Sequence, residues 1–251
     1  MSLAPRTTAK HVWRRRRRPR RAMRPPQPTP VRLYARVVLS KGPQVAWLGH
    51  LELARAVERA ARRAGLPVAY SQGFNPRPKI SFASALPLGA SGGAELVAID
   101  LTRRMPPEEL ARALDQQLPQ GLSVVEARVL PRSKRSPFAD ISRAHYRVAV
   151  TGAEGLELSE LERACQRLLA RERLEIRRET KAGERVVDLR PLIYALTAST
   201  HSPPNFSLSM LLAAHAQRQA KPSEVVDLLA EQVGGLEVVH IHRERLFAQE
   251  D

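Results

Sequence analysis

Between residues 31 and 130 the spacing of apolar residues switches repeatedly between two periods, and the order of those switches restricts the fold more than any other property of the chain. Leu33, Ala35, Val37 and Leu39 alternate with Arg32, Tyr34 and Arg36, as in a strand with one buried face. Over His50 to Ala64 the apolar positions Leu53, Val57, Ala60, Ala61 and Ala64 recur at helical spacing, and Gly65-Leu66-Pro67 ends that run. Val68 to Tyr70, Lys79 to Ser84 and Ala94 to Leu101 read as extended. Pro106-Pro107-Glu108-Glu109 opens a second helix, with acids where the helix dipole favours them and Leu110, Leu114 and Leu118 turned inward. Ser123 to Leu130 completes the set. Strand, helix, strand, strand, helix, strand is the order of a ferredoxin-like unit, in which two helices cover one face of an antiparallel sheet.

The second half repeats this order. His145 to Val150, a helix near Ser159 to Ala170, Leu174 to Arg178, Arg185 to Arg190, Phe206 to Leu212, a helix from Pro222 to Val233 and Leu236 to Glu244 follow one another, with Gly234-Gly235 as the helix stop. Only Pro191 to Pro204 fits the repeat poorly. The expected class is α+β, with tandem ferredoxin-like units and antiparallel sheets. The expected domains are residues 31–130 and 144–251, joined by a polar linker over 131–143.

Charge divides the chain differently. Of 41 basic residues, ten lie within residues 1–30, which hold no acid; the rest, set against 25 acids, leaves an excess of +6 out of the total +16. The segment 1–30 is rich in Arg and Pro and poor in apolar residues, so it is expected to be disordered. Three readings suit it: a polycationic arm for nucleic acid, an extension upstream of a true start at Met23, or an organelle transit peptide. No apolar run is long enough to span a bilayer, which predicts a cytoplasmic protein without a membrane partner. The single cysteine, Cys165, shares a helical face with Leu161, Ala164, Leu168 and Leu169 and is expected in the core. One thiol permits neither an internal disulfide nor the three-thiolate site of an iron-sulfur cluster. No resident cofactor or metal is expected; His240 and His242 share a strand face, but the sequence offers them no third ligand.

The segment Arg59 to Ala94 contains no acidic residue, yet carries Arg59, Arg62, Arg63, Arg77 and Lys79. Within it runs Tyr70-Ser71-Gln72-Gly73-Phe74-Asn75-Pro76-Arg77-Pro78-Lys79. Two prolines stiffen this loop and Gly73 permits a turn, while Tyr70 and Phe74 supply stacking surfaces beside cationic Arg77 and Lys79. These residues form a candidate nucleic-acid site, which Arg32, Tyr34 and Arg36 would extend across the sheet face for single-stranded RNA. The competing readings are a turn that closes a hairpin and a solvated basic face. His50, at the start of the first helix with Glu52 nearby, is the candidate general base; its alternative role is to cap or orient the helix.

At His50-Leu51-Glu52-Leu53, Arg63-Ala64-Gly65-Leu66-Pro67, the whole Tyr70 to Ser81 run and Leu86-Pro87-Leu88-Gly89, the chain resembles a bacterial family of uncharacterised radical SAM-linked proteins. The match is strong from Val31 to Tyr146 and extends weakly through Val187-Asp188-Leu189-Arg190-Pro191-Leu192-Ile193. Gly49 stands where a serine is usual, and Ala213 to Lys221 lacks expected glycines. The resemblance implies a non-catalytic companion of a radical SAM, cobalamin-binding protein, presenting an RNA or ribosome-related substrate to it. Two other readings remain: a metal-independent endoribonuclease of tandem ferredoxin-like type using His50, and a pure protein-docking module.

Overall fold

The structure, a computed structural model, describes residues 33–72, 74–180, 183–215 and 218–248; the Arg/Pro-rich segment 1–30 lies outside them. The first unit is built from β1 (Leu33–Lys41), α1 (His50–Arg63), β2 (Ile80–Phe82), β3 (Ala90–Leu101), α2 (Pro107–Asp115) and β4 (Leu122–Pro131). Its strands lie in the order β4-β1-β3-β2 with every neighbour antiparallel. This is the ferredoxin-like arrangement expected of the periodicity. Ala35, Val37 and Leu39 of β1 are buried and pack with Val97 and Ile99 of β3, Val57 of α1 and Leu110 and Leu114 of α2.

The second unit comprises β5 (Ile141–Gly152), α3 (Leu158–Ala170), β6 (Glu175–Thr180), β7 (Gly183–Asp188), β8 (Ile193–Ser202), β9 (Asn205–His215), β10 (Arg218–Gln219), α4 (Pro222–Val233) and β11 (Leu236–Ala248). Its order β11-β5-β9-β8 reproduces that of the first unit, again antiparallel throughout. One expectation is corrected here. The extended pieces near 174–190 are not sheet strands of the repeat; β6 and β7 form a separate ribbon, and the poorly fitting segment supplies β8. Register shifts at Ile193/Ala195 and Thr200/Ser202 break the alternation of β8, which hides its period in the sequence. The ribbon is tied down by Arg178, which donates to both carboxylate oxygens of Glu224 and to the Gln219 carbonyl.

The connector is shorter than expected, since β4 reaches Pro131 and β5 starts at Ile141. The two sheets also join. Because β2 is so short, the first part of β3 has a free edge, and β11 pairs with it in parallel at Ile241 with Ala90, His242 with Ser91 and Arg243 with Gly92. The result is one nine-stranded, mostly antiparallel sheet. Leu96 of β3 belongs to the second unit's core, against which Val38 and Phe138 also pack, so part of the first sheet's second face is covered rather than open. No helix among the described residues is long and apolar enough to cross a membrane.

Cys165 is 2% exposed in the second core, and burial pushes its thiol up to about 11. Native protein is therefore expected to react with a thiol reagent far more slowly than protein unfolded in denaturant. Equal rates would place α3 at the surface.

Candidate nucleic-acid interface

The Tyr70 to Lys79 loop grows from a stem fixed to β3. The Ala69 N–H donates to the Asp100 carbonyl at 2.7 Å, and the Asp100 N–H donates to the Lys79 carbonyl at 2.9 Å. Lys79 N–H to Ala69 carbonyl, and Ser71 N–H to Arg77 carbonyl, both 2.8 Å, close the loop on itself. The Ser71 hydroxyl adds a bond from the Arg77 N–H at 2.9 Å. The hairpin reading of the sequence is thus correct for the stem, but that closure leaves the tip's side chains unused. Phe74 is fully exposed, Tyr70 is 40% exposed, and Arg77 and Lys79 are exposed. Neither cation has an ion pair among the described residues. A ring with no packing partner, beside two unpaired cations on a backbone-closed loop, is a preformed surface for stacking and phosphate contact. Gly73 lies outside the described residues.

Arg59, Arg62 and Arg63 stand on the exposed side of α1, opposite buried Leu53, Val57 and Ala60. Arg63 donates to the Gln117 carbonyl and so braces α1 against the end of α2. On the sheet face the picture is less open. Arg132 lies over the Tyr34 ring at 5.6 Å and pairs with Asp100 at 3.1 Å. Arg36 lines a small cavity with Val38, Glu126 and Arg128, the last two forming an ion pair. Arg32 lies outside the described residues. The acid-free character of the sequence segment therefore holds for the loop and the last turn of α1, since Glu52 and Glu58 lie earlier on that helix, but not for the β1 face.

His50 is the first residue of α1, and its ring meets Phe82 edge-on at 5.3 Å. Glu52 turns back to accept the Gly49 N–H at 2.8 Å, closing the helix N-terminus. The His50 ring has no hydrogen bond or ion pair among the described residues, so no base and nucleophile are brought together there.

Sequence reasoning missed the junction of the two units. On one side of the sheet Arg243, 1% exposed, pairs through two nitrogens with Glu95, 3% exposed, and also donates to the Ser84 and Ala85 carbonyls. Nearby, buried Lys41 donates from Nζ to the carbonyls of Ala46, Leu48 and Ala90 at 2.7–2.9 Å. Burial pushes its ammonium down, and Glu95 opposes that shift. On the other side, Ser91 Oγ lies 2.6 Å from His240 Nε2 and 2.7 Å from His242 Nδ1. A hydroxyl has one proton, so it donates to one neutral ring and accepts an N–H from the other. Next to this pair, Glu244 joins His145 and Arg147, each at 2.7 Å. No group of three His, Cys, Asp or Glu side chains is placed to hold a metal ion among the described residues.

Burial is the main cause that pushes His242 below its ordinary value, with Glu244 opposing it. The unfolded chain then binds a proton there more readily than the folded one. Stability should accordingly be full above about pH 6.5 and fall as pH drops from there toward the lowered folded value. Urea unfolding at pH values on either side of that range checks the sign, and His242→Gln should flatten the decline.

No curated protein matches the chain. Among solved structures it is similar to a chain of a Cbf5-Nop10-Gar1 complex, with a TM-score of 0.51 and 11% identity over 86% of this chain and 50% of that one. It also matches a chain of an archaeal box H/ACA sRNP Nop10-Cbf5 complex, with a TM-score of 0.45 and 10% identity over 84% of this chain and 47% of that one. The chain thus spans about half the length of these neighbours. At such identity the likeness to the first concerns the α+β fold alone. Residues 35–222, which contain both the loop and the junction strand β3, match the pattern of an uncharacterized protein family conserved in bacteria, and the chain belongs to that family, DUF2344.

Proposed function

We propose that this protein is a non-catalytic accessory subunit that binds single-stranded RNA through the Tyr70 to Lys79 loop and presents it to a radical SAM partner. The observation that carries the RNA half is the fully exposed Phe74 ring beside Tyr70 and the unpaired Arg77 and Lys79, on a loop whose backbone is already closed. Such a surface has no folding role to explain it, and preformed aromatic and cationic groups are what single strands stack on. The partner half rests on the resemblance to radical SAM-linked proteins. The lack of a base and nucleophile around His50 among the described residues counts against the endoribonuclease.

A specific observation also favours a protein partner. Trp47 is 76% exposed and Leu88 64%, on turns held by the three carbonyl bonds of Lys41 and by the Gly89 N–H to Ala46 carbonyl bond. A rigidly displayed tryptophan is a common anchor of protein interfaces.

The reading is tested with residues 31–251, a compact unit without the Arg-rich segment. Titrated into a fluorescent single-stranded RNA, this protein should bind without cleaving, and His50→Ala should bind equally well. Cleavage lost in His50→Ala would instead establish the nuclease. Binding by neither protein would leave only the docking role.

A further inference from the structure

The second unit carries a cationic groove that the loop reading does not use. Ser142, Arg143, Pro191, Tyr194, His215 and Arg218 line a cavity of about 350 Å³ where the start of β5 meets β8, β9 and β10, and no carboxylate lines it among the described residues. The Arg143 guanidinium lies 4.8 Å from the centre of the Tyr194 ring. Stacking in this way fixes the guanidinium plane and leaves its N–H edge free to donate. Neither Arg143 nor Arg218 has an ion pair among the described residues. Ser142 adds a buried hydroxyl without a hydrogen-bond partner among the described residues, a kind of group that folded proteins nearly always satisfy.

Unneutralised guanidinium groups together with an unsatisfied hydroxyl call for an oxyanion that accepts from all of them. Charge narrows the class. Two arginines match a dianion, and the several oxygens of a phosphate meet guanidinium forks and a hydroxyl at once, whereas a carboxylate would leave one cation unmatched. We infer that this groove binds a phosphate monoester, supplied either by a free nucleotide or by the 5′ end of an RNA strand. Both carry the same dianionic head. The inference does not depend on the Tyr70 to Lys79 loop.

Calorimetric titration of the full chain tests it with two pairs of probes: adenosine 5′-monophosphate against adenosine, and a short single-stranded RNA with a 5′-phosphate against the same strand with a 5′-hydroxyl. In at least one pair the phosphorylated member should bind tenfold tighter or more, and the pair that discriminates identifies the source. Arg143→Gln and Arg218→Gln should each reduce that preference by about tenfold, the scale of a lost charge-assisted hydrogen bond. Arg218 is exposed, so its substitution leaves folding intact even if loss of the Tyr194 stack disturbs the Arg143 variant. The Arg77/Lys79 double substitution should leave the preference unchanged, which separates this groove from the loop. Equal affinity within both pairs, or a preference that survives Arg218→Gln, would overturn the inference.

Discussion

Replacing Glu95 by alanine is expected to cost about 3–5 kcal/mol of folding stability, the scale on which a buried ion pair fails when one partner is removed. Glu95 is the carboxylate partner of Arg243, and both are almost completely buried where the parallel β3/β11 contact joins the units. Removing it strands a guanidinium out of water and leaves Arg243 close enough to Lys41 to depress that ammonium further. Both cations would then lack the anion that offsets them. A paired change, Glu95→Met with Arg243→Met, should recover most of the loss, because apolar side chains of similar volume do not need the ion pair. Urea denaturation of the parent and both variants decides it. A loss below about 1 kcal/mol for Glu95→Ala would mean that water reaches the pair and that the units are less tightly joined than the buried contact implies.

The second large effect concerns binding alone. Phe74→Ala should weaken single-stranded RNA binding by about 1–3 kcal/mol, and Tyr70→Ala by a similar amount, if the rings stack on bases. Because Phe74 is fully exposed, its removal should leave the urea midpoint where it was. Loss of affinity at constant stability is a signature that a hairpin-closing role cannot produce. Unchanged affinity in both variants would rule out stacking by either ring.

What the sequence disclosed follows from where its periods are clean. Leu33 to Leu39 and His50 to Ala64 each keep one period from end to end, and both became the elements expected. In β8 two register shifts interrupt the alternation, and the ribbon of β6 and β7 precedes it with an equally strand-like pattern. Local pattern had no means of telling which would join the sheet. The β3/β11 pairing involves three residues on each strand and leaves no periodic trace. A weaker signal was present: Arg243 follows Ile241 on the inward face of β11, and an inward arginine requires a buried anion. His240 and His242 were rightly placed together on one face of β11, but what they share there is the Ser91 hydroxyl. For the loop, the sequence supplied residue types and stiffness, while only the structure separated the tip from its closed stem.

The central claim, that the loop holds RNA by phosphate contact, is tested most directly by the salt dependence of binding. With residues 31–251 and a single-stranded RNA, log affinity should fall linearly with log salt, and neutralising Arg77 and Lys79 together should make that slope shallower by about 1.4, or about 0.7 for each lost contact. A slope that is the same in the double variant and the parent would contradict the claim, whatever the change in affinity.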